Sequence, residues 1–184
     1  LFPYTTLFRS LITKKRIAKS FKKLMTEQAF EKISVRQIME DAGIRRQTFY
    51  NHFLDKYELL EWIFQTELRE QVTDNLEYIS GYQLLQELLH YFSVNKSFYA
   101  QLFDIVDQND FSSYFQTYCQ QLVAKLVREY HSRPFHSEME YHFFIHYHSQ
   151  ALANAIKHLL DLSEQDYQQQ AQLLTQLIKT AIEN

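Results

Sequence analysis

Apolar residues recur every three or four positions along most of the chain, the spacing of helices that bury one face. A first helix is predicted from Leu11 to about Gln28, on the stripe Ile17, Phe21 and Leu24. Ser34 and Gln37 stand at capping-box spacing, and Val35, Ile38 and Met39 give the short helix they open one apolar face. The chain must then turn through Ala42-Gly43-Ile44, where glycine supplies the left-handed backbone that ends a helix without steric penalty. At about 100° per residue, Phe49 and Phe53 share one side of a second short helix, and Gln47, Thr48, Tyr50 and Asn51 take the rest of its circumference. Asp55 and Glu58 cap a longer helix predicted to run to about Leu76.

The same period continues to the C-terminus. Gly81 marks a break before helices at Tyr82–Phe92 and Lys96–Val106. Asn109 and Asp110 punctuate before Phe111–Tyr130, and Arg133-Pro134 breaks the chain again. Ser137 and Glu140 open a helix to about Leu160, and Ser163 and Asp166 cap Glu164–Ile182. The chain therefore reads as all-α, with about nine helices. Residues 11–56 form a three-helix unit with a helix-turn-helix, and residues 57–184 a helical bundle. The first ten residues, LFPYTTLFRS, show no helical period and no signal-peptide layout. They look like the in-frame translation of a sequencing adapter and are expected to lie outside the fold. The other reading is a short arm that enters a DNA minor groove.

Composition narrows the class. Two Gly and two Pro in 184 residues favour helices over tight-turned sheets. No apolar run approaches the length that spans a bilayer. The single Cys119 cannot form an intrachain disulfide and fits a reducing compartment, so a cytoplasmic protein is expected. It shares a helical face with Phe115, Leu122 and Leu126, which points to core and not to a redox sensor. The net charge of −3 conceals an asymmetry. Residues 11–56 hold eleven Lys or Arg against five acids, whereas residues 57–184 hold seven against seventeen. A basic front on an acidic body suits a DNA-facing domain joined to one that does not touch DNA.

Two helices about a glycine turn, the second bearing basic and amide side chains, are the sequence form of a helix-turn-helix DNA reader. Arg45 and Arg46 fall in the first turn of the second helix, where long side chains reach past its end. Arg matches guanine edges and Asn or Gln matches adenine edges, each by a bidentate contact in the major groove. The plain alternative is a solvated polar face on an ordinary helical hairpin.

The stretch VRQIMEDAGIRRQTFYNHFLDKYELL resembles the N-terminal signature of the TetR family of bacterial transcription regulators. The matching positions are Ala42-Gly43-Ile44, Thr48-Phe49-Tyr50-Asn51-His52-Phe53, Lys56 and Glu58-Leu59-Leu60, within roughly residues 12–75. The resemblance implies that Arg36, Arg46, Gln47 and Asn51 approach bases or nearby backbone. It implies that Thr48, Tyr50, His52 and Lys56 hold phosphates, Lys56 beside a helix N-terminus. It further implies a homodimer through the two C-terminal helices, double-stranded DNA as partner, and control by a small-molecule effector or a protein coactivator. IRRQTFYNHF followed by ELLEWIF is similar to the branch that contains regulators of dihydroxyacetone-kinase operons, whose C-terminal domain would sense a partner protein.

The expected dimer stripes are Tyr141, Phe144, Ile145, His148, Leu152 and Ile156, with Leu173, Leu174, Leu177, Ile178 and Ala181 on the last helix. The alternative is that both are core of their own chain. Glu138, His142 and His146 share a helix face, a spacing that can chelate Zn or Ni, but no further residue completes a ligand set. No metal or other cofactor is expected. The aromatics Tyr82, Tyr91, Phe92, Phe98, Tyr99, Phe103, Tyr114, Phe115 and Tyr118 either line a ligand cavity or form plain core. An enzyme is the rival class, but no nucleophile elbow, phosphate-cradling glycine loop, Cys-x-x-Cys or H-E-x-x-H occurs. A helical adaptor without DNA binding is the remaining rival, and the intact Gln47–Lys56 run argues against it.

Overall fold

The computed structural model describes residues 3–71, 74, 77–105 and 109–183. Among them the regular elements are helices: α1 Pro3–Glu27, a 3-10 turn Phe30–Lys32, α2 Val35–Asp41, α3 Arg46–Phe49, α4 Lys56–Gln71, α5 Gly81–Val94, α6 Lys96–Asp104, α7 Asn109–Tyr130, α8 Glu138–Leu160 and α9 Glu164–Glu183. The all-α reading holds for the described residues. The helix ends predicted at Leu76 and Val106 lie outside them. Contacts divide the chain into two compact units, Leu1–Thr66 and Glu67–Asn184.

In the first unit, Ile17, Phe21 and Met25 of α1 close on Ile38 and Met39 of α2, Phe49 of α3 and Leu59, Leu60 and Ile63 of α4, all buried. Ser20 Oγ donates to the Ile38 carbonyl at 2.7 Å, and Lys23 pairs with Asp41 at 2.5 Å, so α1 is tied to the middle and the C-terminal end of α2. One expectation fails here. Helix α1 begins at Pro3, not at Leu11. Proline is tolerated in a first helical turn, where its missing N–H has no partner to lose. Once a helix is nucleated, each added residue gains a hydrogen bond, so extension needs no amphipathic pattern.

The α2–α3 turn is made by Gly43, at φ +63°. Gly43 N–H donates to Glu40 O at 3.1 Å and Ile44 N–H to Met39 O at 3.0 Å, the two bonds of a Schellman cap. Gly43→Ala should cost about 1–2 kcal/mol, because an L side chain is strained in this conformation. Its Cβ would also meet Arg16 Nη2 at 3.2 Å, but that flexible end can move. Thermal unfolding should show a clear loss for Gly43→Ala and a smaller one for Gly43→Asn, which tolerates positive φ. Equal losses would mean that packing, and not backbone conformation, selects glycine.

In the second unit α7 packs on α5, α6, α8 and α9. Buried Phe92, Tyr99, Phe111 and Phe115 meet largely edge to face, with Phe92 4.6 Å from Tyr99 and 5.4 Å from Phe115. Most of the aromatics that might have lined a cavity are thus plain core. Cys119 is also core, and burial pushes its thiol far above the ordinary range. A polar cluster interrupts this interior. Glu67 of α4 accepts from the hydroxyls of Tyr91 (α5) and Tyr99 (α6), the latter at 3.0 Å. Burial raises both phenol pKa values, so both stay protonated and donate. Gly81 opens α5 against Leu126 of α7. A Cβ there would stand 2.7 Å from Leu126 Cδ2, and the Gly81 N–H donates to Glu129 Oε2 at 2.7 Å.

Candidate nucleic-acid interface

Helix α2 begins with a side-chain cap, whereas α3 begins after Arg45 without one. Gln37 N–H donates to Ser34 Oγ at 3.3 Å, and Ser34 N–H donates to Gln37 Oε1 at 2.9 Å, which completes the capping box of α2. Helix α3 is only four residues long, but His52 and Phe53 N–H both reach Phe49 O at 2.9 Å, so the helical path continues through residues 50–52. Phe49 and Phe53 are buried, 5.6 Å apart, and anchor this segment from below. Tyr57 and Glu58 N–H donate to Asp55 Oδ1 at 2.8 and 2.9 Å, and α4 starts there.

The anchoring turns the polar residues outward. Arg45, Arg46, Gln47, Tyr50 and Asn51 are exposed, and Thr48 and His52 are half-buried. Arg46 Nη2 lies 3.4 Å from Tyr50 Oη, which aligns the two side chains along one edge. Arg36, also exposed, pairs through Nε with Glu40 at 2.7 Å, which leaves its Nη donors for a DNA group.

Lys56 is half-buried and makes contacts within its own chain. Its Nζ donates to the carbonyls of Phe30 at 2.8 Å, Ile33 at 3.0 Å and Glu31 at 3.3 Å, and lies 4.2 Å over the Phe30 ring. An ammonium has three N–H donors, and all three are taken. Burial lowers its pKa from the usual lysine value. These contacts make Lys56 a clamp on the 3-10 turn that leads into α2, a role beside the phosphate contact that the resemblance implies.

A second cluster was not foreseen. Lys14 of α1 lies 5.0 Å over the Phe53 ring and 5.5 Å over Trp62. It stands near His52, whose pKa is lowered first by burial and then by the Lys14 charge. Ser10 Oγ is 3.4 Å from His52 Nδ1. The signal in the sequence was faint: a lysine and a lone tryptophan 48 positions apart, joined only by the fold. Among the described residues no group of three His, Cys, Asp or Glu is placed to hold a metal ion. No helix among them is long and apolar enough to cross a membrane.

Residues 21–63 match the family described as bacterial regulatory proteins, tetR family, and residues 80–180 match a transcriptional regulator C-terminal region of TetR type. The chain belongs to the TetR family of transcriptional regulators. It is 38% identical over 151 residues to the HTH-type dhaKLM operon transcriptional activator DhaS of Lactococcus lactis subsp. lactis, covering 81% of this chain and 80% of that protein. An HTH-type transcriptional regulator of Staphylococcus aureus is 33% identical over 84 residues, covering 42% of this chain and 44% of that one. A solved structure of the dihydroxyacetone kinase operon activator DhaS superposes with TM-score 0.77 at 35% identity, covering 92% of this chain and 98% of that one. A TetR regulator from Streptococcus agalactiae shares the fold, with TM-score 0.64 at 18% identity over 96% of this chain and 99% of that one. The exposed polar face of α3 lies within the residues 21–63 that match this family.

Proposed function

We propose that this regulator acts in the cytoplasm as a homodimer on a palindromic operator and answers to an effector or a partner protein. The observation that carries the DNA reading is the outward row Arg45, Arg46, Gln47, Tyr50 and Asn51, fixed from below by buried Phe49 and Phe53. Arg46, Gln47 and Asn51 would read base edges, with Arg36 and Arg45 reaching bases or nearby backbone. Thr48, Tyr50 and His52 would hold phosphates. Likeness to DhaS supports control of a dihydroxyacetone-kinase operon. A gel shift with the DNA upstream of its own gene tests the reading, and no shift at low salt would sink it.

Arg46→Ala or Gln47→Ala should weaken the cognate site by roughly 1–3 kcal/mol and relax base preference at one position per half-site. Titration on cognate and scrambled duplexes checks this. Equal losses on both would make these residues positioning contacts only.

His52 makes DNA binding depend on pH. Its depressed pKa keeps it neutral in the free protein near pH 7, while a nearby phosphate favours the charged form. Binding then takes up a proton, so affinity should rise as pH falls from about 7 to about 5, and His52→Gln should flatten that slope. In the free protein the sign is opposite. The unfolded chain binds the proton more readily, so this group removes stability as pH falls below its ordinary value.

Dimerisation is assigned to α8 and α9, but not by the stripe read from the sequence on α8. Ile145, Leu152 and Ile156 are buried within their own chain, and Tyr141, Phe144 and His148 are half-buried. The outward apolar row on α8 is Met139, Phe143 and Tyr147, exposed by 81, 69 and 60%. On α9 Leu173 and Leu177 are exposed as expected, while Leu174, Ile178 and Ala181 are half-buried.

A further inference from the structure

The outward face of α8 changes character along its length. Its N-terminal half carries the apolar row given to the dimer. Its C-terminal half, through Gln150, Asn154 and Lys157, walls a cleft of about 450 Å³ against Phe103 of α6 and Ser112 and Gln116 of α7. The Lys157 ammonium lies 5.8 Å over the Phe103 ring and, among the described residues, forms no ion pair. The amides are held in place. Gln116 Nε2 donates to buried Ser149 Oγ at 3.1 Å, and Asn154 Nδ2 to the Gln150 carbonyl at 3.0 Å. Each therefore keeps a side-chain oxygen to offer as an acceptor.

This lining discriminates among ligand classes. A purely apolar effector would strip water from the amides and the lysine without repaying them. A bare inorganic anion would use the lysine and leave the amides and the ring idle. A neutral sugar would satisfy the amides but make no use of the exposed ammonium. A phosphorylated sugar uses all of them: phosphate at Lys157, hydroxyls at Ser112, Gln116 and Asn154, and the C–H face of the sugar on Phe103.

We propose that the cleft between α6, α7 and α8 is an effector site for a small phosphorylated sugar. The assignment rests on the reading of this chain as an effector-controlled DNA-binding regulator. It is tested by calorimetry on the whole protein with ribose phosphate and glucose phosphate, against the free sugars and inorganic phosphate. At least one sugar phosphate should bind saturably, roughly tenfold tighter than its parent sugar or phosphate alone, since a charge-assisted contact is worth that much. Lys157→Met and Asn154→Leu should each weaken it by about tenfold, with melting temperature and sugar-free DNA affinity unchanged. The bound sugar phosphate should also alter the gel shift on the upstream DNA. No saturable binding of either sugar phosphate, equal binding of inorganic phosphate, or full binding by Lys157→Met overturns the site. So does binding that leaves DNA affinity untouched. A protein that still shifts its DNA in those cases keeps its standing as a regulator, whereas one that shifts no DNA loses that standing whatever the calorimetry shows.

Discussion

Phe143→Glu combined with Tyr147→Glu is expected to yield soluble monomers that bind the operator at least about a hundredfold more weakly than the unmodified protein, the scale of avidity lost when two linked sites become one. The two rings stack at 6.4 Å with 17° between their planes, one and two turns beyond exposed Met139 on α8, and Leu173 and Leu177 are exposed on α9. Apolar side chains grouped like this on a helix pair are the mark of an interface, and two symmetric copies can cover each other's patch. Both positions are exposed in the single chain, so charges there should not open the core. The same substitutions at Ile145 or Leu152 would unfold the protein and answer nothing. Light scattering at micromolar concentration gives the oligomeric state, and thermal unfolding reports whether the monomer is intact. A variant that remains dimeric removes this row from the interface. An unmodified protein that is monomeric under the same conditions removes the dimer altogether.

The dimer face shows where reading the sequence stops. Helical period identifies apolar stripes, but α8 is apolar on most of its circumference, with Phe143 and Tyr147 on one side and Ile145, Leu152 and Ile156 on another. Which side meets α7 and which meets solvent depends on the fold. Signals set within a few residues were legible. The Ser34–Gln37 box, the Gly43 turn and the caps at Asp55, Ser137 and Ser163 all lie where the pattern put them, because each is decided by chain neighbours. The outward row from Arg45 to Asn51 was legible for the same reason, once Phe49 and Phe53 were taken as anchors. Contacts between distant segments were not. Lys14 finds Phe53 and Trp62, and Glu67 finds Tyr91 and Tyr99, across separations no local rule reaches. The helical path of Pro3 to Ser10 was missed because extension of a formed helix leaves no amphipathic trace.

Lys56 brings the two kinds of information into conflict, and one substitution separates them. Its position ahead of Glu58-Leu59-Leu60 matches the family's signature, which argues for phosphate, yet its ammonium is enclosed by the carbonyls of Phe30, Glu31 and Ile33. The clamp account expects Lys56→Met to cost roughly 2–3 kcal/mol of stability, since three carbonyls lose a charged donor and at least one stays out of reach of water. Lys56→Arg should not restore it, because a planar guanidinium cannot converge on three acceptors as an ammonium does. DNA affinity would fall on all sequences alike, through a loosened turn ahead of α2, while its dependence on salt stays as in the unmodified protein. A phosphate contact gives the opposite signature: an unchanged melting temperature and a salt slope smaller by about one. Thermal unfolding and gel shifts at several salt concentrations, run on the same preparations, read both quantities. A melting temperature that holds while the salt slope drops would restore Lys56 to the DNA face and dismiss the clamp.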